Sequence, residues 1–287
     1  MMISPALRDR INEVACANVD GFRPLSGGCV GEVYRGRTDR GQQVVVKVDV
    51  SDEPSLHIEG SMLEYLATRS ELPVPKVIAS AADVLIMEYV EHDGRSGPDV
   101  EVEAADALAS LHGVSADHYG FEEDTLIGGL HLPNPRRDDW PRFFAEYRLL
   151  DMGRRCLEVG HLATPTMRRL EAVATDIDEL IPRPQPPSLI HGDIWGGNVL
   201  THDGHLAALI DPAVYYADPE IELAFISLFH TFGERFYARY GEHRPIDDGF
   251  FDYRKDLYNL FPLLVHVRLF SGTYVGQLQS TLRRLGY

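Results

Sequence analysis

Apolar and polar positions in the first ninety residues follow two different periods. After Ser4-Pro5, a cap residue followed by a first-turn proline, Leu7, Ile11, Val14 and Ala15 recur at helical spacing and predict a leading helix packed on the small sheet. Val44-Val45-Val46-Lys47-Val48, after the turn signal Asp39-Arg40-Gly41, is a β-branched run that predicts a strand, and Leu72–Ile78 and Val84–Val90 predict two more. Between them, at about 100° per residue, Leu56, Ile58, Met62, Leu63, Tyr65 and Leu66 fill one arc of a helix beginning after Pro54. Glu59 falls inside that arc, whereas Glu64 points away from it.

The pattern changes at the polar stretch Glu91–Pro98, whose glycines and proline mark a linker. Beyond it the chain reads as mostly helical. Asp99 is placed to cap a helix running through Leu108 and Leu111, and a last helical stretch runs from about Phe250 to Phe270 with Pro262 placed to kink it. Pro182, Pro184, Pro186 and Pro187 enforce an extended entry into a strand. Val199-Leu200-Thr201 and Leu206–Ile210 flank His202-Asp203-Gly204-His205, the Asp-Gly signal of a tight hairpin. The expected architecture is an α+β fold in two lobes: a small antiparallel sheet over residues 1–90 and a mostly helical lobe over residues 91–287.

Composition narrows the function classes. A chain of 287 residues, 44% hydrophobic, is long enough for two lobes sharing one cleft. A net charge of −17 argues against a nucleic-acid partner, which needs clustered Lys and Arg, and suits a cationic one. No internal repeat, signal-peptide pattern or apolar run near the ~20 residues of a membrane span is evident, so a cytoplasmic protein without a membrane partner is expected. Cys16, Cys29 and Cys156 give neither a disulfide framework nor a CxxC site. His112 and His266 sit in apolar helical surroundings and read as hydrogen-bonded core residues, so no zinc site is expected.

The candidate chemistry lies in His191-Gly192-Asp193-Ile194-Trp195-Gly196-Gly197-Asn198 and in Ile210-Asp211-Pro212. Asp193 on a turn can accept a proton from an attacking hydroxyl, and Asn198 and Asp211 offer the hard oxygen ligands that Mg²⁺ prefers. The intervening hairpin would return Asp211 to the side of Asn198. The N-terminal half supplies the rest of a nucleotide site in order. Gly27, Gly28, Cys29, Val30 and Gly31 form a glycine-rich turn whose backbone N–H groups can approach phosphate, and Lys47 then interrupts an apolar strand. Glu59, on a buried helical face, needs a cation, and Lys47 is the available one. The backbone of Glu88, Tyr89 and Val90 is placed to meet adenine. This set is that of a kinase-like phosphotransferase holding a hydroxyl and Mg-ATP together.

On further motifs the chain resembles the fructosamine/ketosamine-3-kinase family, a branch of the protein-kinase-like fold related to aminoglycoside phosphotransferases and choline kinases. The resemblance rests on Gly27-Gly28-Cys29, Ala107–His112, Tyr119-Gly120-Phe121, Ile127-Gly128, Asn134-Pro135, Trp140 and Arg148-Leu149. More specific are His191–Asn198, Ile210–Tyr216 with Glu220, and Leu263–His266 with Leu269-Phe270 and Tyr274. Gly196 stands where the family usually has Ser, Gly31 where a polar residue is common, and Glu222 where Asp is usual.

The resemblance implies Asp193 as catalytic base, Asn198 and Asp211 as metal ligands, Lys47 on the α/β-phosphates and Glu59 as its partner. It also implies phosphorylation of a ketosamine at its 3-hydroxyl, free or on a protein lysine, after which the adduct decomposes and frees the amine. Trp195 either stacks on the substrate sugar or packs. The competing readings are a kinase of aminoglycoside- or choline-type hydroxyls and a non-catalytic nucleotide-binding regulator; retention of all five polar residues argues against the last. A monomer or weak homodimer is expected. Cys29 lies where backbone N–H groups and Lys47 favour a thiolate, so either an inert turn residue or a redox-sensitive one fits. If it is redox-sensitive, peroxide slows turnover, reductant restores it, and Cys29→Ser keeps activity while losing the sensitivity; undiminished inhibition of Cys29→Ser excludes that role.

Overall fold

The computed structural model describes residues 3–25 and 31–287. The leading helix α1 spans Pro5–Ala15, and Ser4 caps it, its hydroxyl oxygen accepting the Leu7 N–H at 3.2 Å. Strands β1 (Val19–Pro24), β2 (Glu32–Thr38), β3 (Gln43–Val48), β4 (Val77–Ser80) and β5 (Val84–Glu88) form one antiparallel sheet in the order β1-β2-β3-β5-β4. Strand alternation gives that sheet two working faces. On one, Val44, Val46, Val48, Val84 and Ile86 bury themselves with Ile11 of α1. On the other, Val45, Leu85 and Met87 meet Leu56 and Leu63 of helix α2 (Leu56–Arg69), and Lys47 therefore points toward α2 as well.

Helix α2 belongs to both lobes. Leu56 and Leu63 pack on the sheet, while Met62 and Leu66 are part of the large C-terminal core. The Tyr65 and Tyr216 hydroxyls lie 3.0 Å apart, and the Val214 N–H donates to the Met62 sulfur at 3.4 Å. The segment expected as a strand from Leu72 is extended coil as far as Lys76, because Pro73 and Pro75 cannot donate to a ladder. It ties the lobes together instead, the Pro73 carbonyl accepting the Leu209 N–H at 2.8 Å.

The second lobe begins with α3 (Pro98–Leu111), whose cap is Gly97 with Pro98 in the first turn; Asp99 is not the cap but sits one residue further in, where a carboxylate complements the helix dipole. Next come the short hairpin β6 (Thr125–Ile127) and β7 (Leu130–Leu132), helix α4 (Trp140–Phe143), a π-helical stretch Phe144–Leu150, and α5 (Asp151–Glu158), α6 (Thr164–Thr175) and α7 (Ile177–Leu180). Strand β8 (Ser188–Ile190) pairs with β11 (Tyr215–Ala217), and β9 (Val199–His202) pairs with β10 (His205–Leu209) through the expected tight turn.

Helices α8 (Glu220–Leu228), α9 (Glu234–His243), α10 (Lys255–Phe270) and α11 (Thr273–Arg284) complete the lobe. The stretch from Phe250 opens as a π-helical turn to Arg254 before becoming α-helical, with Pro262 inside α10 and its carbonyl bonded to His266 Nδ1 at 2.8 Å. Trp140, fully buried, anchors the centre of this lobe through its N–H to the Tyr258 hydroxyl at 3.0 Å. The result is the two-lobed α+β architecture expected from the patterning. Among the described residues no helix is long and apolar enough to cross a membrane.

Candidate active site

The loop after β8 turns sharply at Gly192, whose φ of +86° and proximity to Ala213 (a Cβ would lie 2.1 Å from its carbonyl oxygen) admit only glycine. This places Asp193 at the cleft with Asn198 beside it. The Asn198 amide donates to the Asp193 carbonyl at 2.8 Å and to its carboxylate at 3.0 Å. The β9–β10 hairpin brings the chain back, the Ile210 N–H donating to the Asn198 carbonyl at 3.0 Å, so that Asp211 follows directly. Asp211 itself sits at φ +56°, an uncommon conformation for a non-glycine residue and one found where a side chain is aimed by its surroundings.

Across the cleft, the Lys47 ammonium lies 2.6 Å from Glu59 and 2.5 Å from Asp211. Lys47 is only 7% exposed. Burial alone would depress its pKa, but the two carboxylates outweigh that effect and hold it above the ordinary lysine value, so it stays charged. Glu64, on the opposite side of α2, is exposed.

Among the described residues no cation pairs with Asp193. Desolvation, with repulsion from Asp211 added and only the Asn198 hydrogen bond opposing, pushes its carboxyl up to about 7. A carboxylate poised there is suited to taking a proton near neutrality.

Beneath the loop lies a buried group that sequence reasoning noted only as a departure from the family pattern. Glu222 accepts the Gly192 N–H at 2.5 Å and the His191 N–H at 3.4 Å, and lies 2.8 Å from His112 Nε2; His112 Nδ1 in turn lies 2.7 Å from the Tyr240 hydroxyl. Burial would raise the Glu222 pKa, but the His112 hydrogen bond, the nearby imidazoles and the Gly192 N–H lower it. Glu222 is therefore an ionised anchor holding the loop backbone from below. His191 is buried, and desolvation pushes its pKa down, which keeps it neutral and makes it a shaper of the loop.

Two cavities meet at this point. One, of about 320 Å³, is lined by Leu25, Val33, Val45, Met87, Leu200 and Ile210 and by the linker residues Glu88, Tyr89 and Val90. The Tyr89 ring is covered by the Arg35 guanidinium at 3.9 Å, and the Val90 carbonyl accepts from His92 Nδ1 at 2.9 Å. The other cavity, about 60 Å³, is lined by Asp193, Glu59, Met62, Leu126, Gly128 and Gly129. Lys47, Trp195, Asn198 and Asp211 border both.

Trp195 is 38% exposed, and its ring lies so close to Gly197 that a Cβ there would come within 2.3 Å of it. It thus packs on the loop and still presents surface to both cavities. Gly31 leads directly into β2, while Gly27, Gly28, Cys29 and Val30 lie outside the described residues.

The oxygen donors fit a hard divalent cation. Asn198 uses its amide N–H₂ on Asp193, leaving its carbonyl oxygen as the group available beside Asp211. Among the described residues no three His, Cys, Asp or Glu side chains cluster as a metal cage. That is compatible with Mg²⁺, which takes one or two protein oxygens and completes its shell with phosphate and water.

Fold and cleft together define a phosphotransferase of the protein-kinase-like class. Similarity to known proteins is narrower: residues 4–286 match the fructosamine kinase family, and the chain belongs to that family. It is 34% identical over 273 residues to a Synechocystis protein named probable ketoamine kinase, covering 91% of this chain and 89% of that one. A solved structure of a candidate fructosamine-3-kinase from Thermobifida fusca superposes with a TM-score of 0.88 at 32% identity, covering 98% and 99% of the two chains. The gentamicin complex of the aminoglycoside phosphotransferase APH(2")-IIa shares the fold, with a TM-score of 0.69 at 15% identity over 99% and 97% of the chains.

The Asp193 environment makes a thermodynamic prediction. Its folded-state pKa of about 7 exceeds the ordinary 3.8, so the stability linked to it is present in full below about pH 4 and is lost as pH rises through 7. Asp193→Asn should therefore gain stability relative to the parent between pH 5 and pH 8, read from urea unfolding at each pH. An unchanged difference would show that the carboxyl is not strained.

Proposed function

We propose that this protein is an ATP- and Mg²⁺-dependent kinase that phosphorylates the 3-hydroxyl of a ketosamine, free or attached to a protein lysine, in the repair of glycated amines. The observation that carries this reading is Asp193: a buried carboxyl, without a cation partner among the described residues and raised to about 7, in a cavity that joins the linker cavity at Lys47, Asn198 and Asp211. On this reading residues 1–90 carry most of the nucleotide site and residues 91–287 the base and the acceptor site.

Each residue then has a task. Glu88, Tyr89 and Val90 hold adenine at the linker. Gly27, Gly28, Cys29, Val30 and Gly31 cover the phosphates. Lys47, kept charged and oriented by Glu59, binds the α/β-phosphates. Asn198 and Asp211 hold Mg²⁺, which when bound neutralises developing phosphate charge. Asp193 orients the acceptor hydroxyl and takes its proton, and Glu222 keeps the Asp193 loop in place. Trp195, exposed at the junction of the cavities, offers a face for the sugar. The negative balance of the chain favours an acceptor whose secondary amine is protonated near neutrality.

Two measurements test this. In competition at equal concentrations, ribulosamine- or fructosamine-bearing lysine should be phosphorylated and kanamycin and choline left nearly untouched; preference for an aminoglycoside would overturn the substrate assignment and leave the kinase assignment standing. In single-turnover experiments, Asp193→Asn should bind ATP as the parent does and react roughly 10²–10⁴-fold more slowly, and Asp211→Ala should show no Mg-ATP turnover. Near-parent turnover in Asp193→Asn would remove it as the base.

A further inference from the structure

Several motif residues between Tyr119 and Leu149 have no task in handling phosphate, yet they converge on one element, the β6–β7 hairpin. Its strands pair Thr125 with Leu132, Leu126 with His131 and Ile127 with Leu130, so Gly128 and Gly129 form a two-residue turn, with φ of +52° and +80°. That turn, with Leu126, lines the Asp193 cavity and has no part in the linker cavity. Glycine at both turn positions brings the main chain to the cavity wall with no side chain between.

The base of the hairpin is gripped by a buried cation. Arg148, 0% exposed, donates to the Pro133 carbonyl at 2.9 Å and to the Asn134 side-chain oxygen at 2.5 Å. Asn134 relays the grip, its side-chain amide donating to the Thr125 hydroxyl at 2.7 Å and its N–H to Asp124 at 3.0 Å. The guanidinium lies 4.1 Å from the Tyr215 ring and 4.7 Å from the Phe143 ring. Tyr215 belongs to β11, four residues beyond Asp211. Arg148 itself sits in the π-helical stretch, a local widening that recurs at functional sites.

No carboxylate among the described residues pairs with Arg148, although burying a guanidinium costs several kcal/mol. A methionine would fill the same space without that penalty, but could not bind the Pro133 carbonyl, the Asn134 amide and the Tyr215 ring together. Those three partners join the hairpin to the strand that follows Asp211, and so fix the distance between the Gly128-Gly129 turn and the Asp193 loop.

We propose that the β6–β7 hairpin is the wall of the acceptor site that admits a slender polyhydroxylated chain and excludes bulky ring systems, and that Arg148 is the positioning residue that holds it over Asp193. This deepens the ketosamine kinase reading and rests on it.

The test is steady-state kinetics of the full chain with a ketosamine and ATP varied separately, together with acceptor-free ATP hydrolysis, for the parent, Arg148→Lys, Arg148→Met and Gly129→Ala. The three variants should raise KM for the ketosamine by at least about tenfold, leave KM for ATP within about twofold, and retain acceptor-free hydrolysis. Arg148→Lys, which keeps the charge but not the two-point grip, should fall between the parent and Arg148→Met. Gly129→Ala, at a turn position whose φ of +80° favours glycine, carries the test alone if the Arg148 variants do not fold. Unchanged ketosamine KM in Gly129→Ala, or a parallel rise in KM for both substrates, would overturn the role of the hairpin. A parent that phosphorylates no ketosamine would instead overturn the functional reading on which it rests.

Discussion

One buried ammonium organises this molecule. Lys47 reaches from the small sheet to a carboxylate on α2 and to another at the end of the β9–β10 hairpin, and so joins three parts of the chain that are distant in sequence. The join is rigid because α2 has no independent position: Leu56 and Leu63 lock it to the sheet, and Met62, Leu66 and Tyr65 lock it to the large lobe. The Pro73 carbonyl bonded to the Leu209 N–H fixes the same junction a second time. Lobe orientation and ion-pair geometry are therefore one constraint.

The charge balance around that ammonium accounts for the properties of the site. Among the described residues Glu59 and Asp211 share Lys47, and Asp193, raised first by burial and then by the charge of Asp211, is pushed up to about 7. Glu222, equally buried, escapes that fate because His112 and the Gly192 N–H solvate it from within the protein. Two buried carboxylates beside one another, Asp193 on the loop and Glu222 on α8 beneath it, thus differ by environment alone: Glu222 is kept ionised, and the Asp193 carboxyl is raised toward neutrality. The excess of negative charge suits the metal and the protonated amine of the proposed reaction.

Much of this was legible in the sequence because local rules agreed with the global fold. The helical arc that contains Glu59 and excludes Glu64, the Asp-Gly turn returning Asp211 to Asn198, and the β-branched run carrying Lys47 all depend on short-range periodicity. What stayed hidden depends on contacts across long separations. The pairing of His112 with Glu222 joins residues 110 apart, and neither side chain differs on its own from an ordinary core or helix residue. The β6–β7 strands, three residues each, are too short to show alternation. Leu72–Lys76 has strand-like hydrophobicity, but its prolines divert it into coil. Asp99 resembles a cap, yet Pro98 before it already occupies the first helical turn, and α11 after Gly272 gave no signal that separated it from the helix before it. The glycine-rich segment Gly27 to Val30, proposed to cover the phosphates, lies outside the described residues.

Burial and the charge of Asp211 together raise the Asp193 carboxyl, and its titration is the decisive observable. In protein labelled with ¹³C at the aspartate carboxyls, the Asp193 resonance, assigned by its loss in Asp193→Asn, should titrate near pH 7 and shift to a lower midpoint in Asp211→Asn, where the repelling charge is gone. A midpoint in the ordinary carboxylate range, unmoved by Asp211→Asn, would contradict the account.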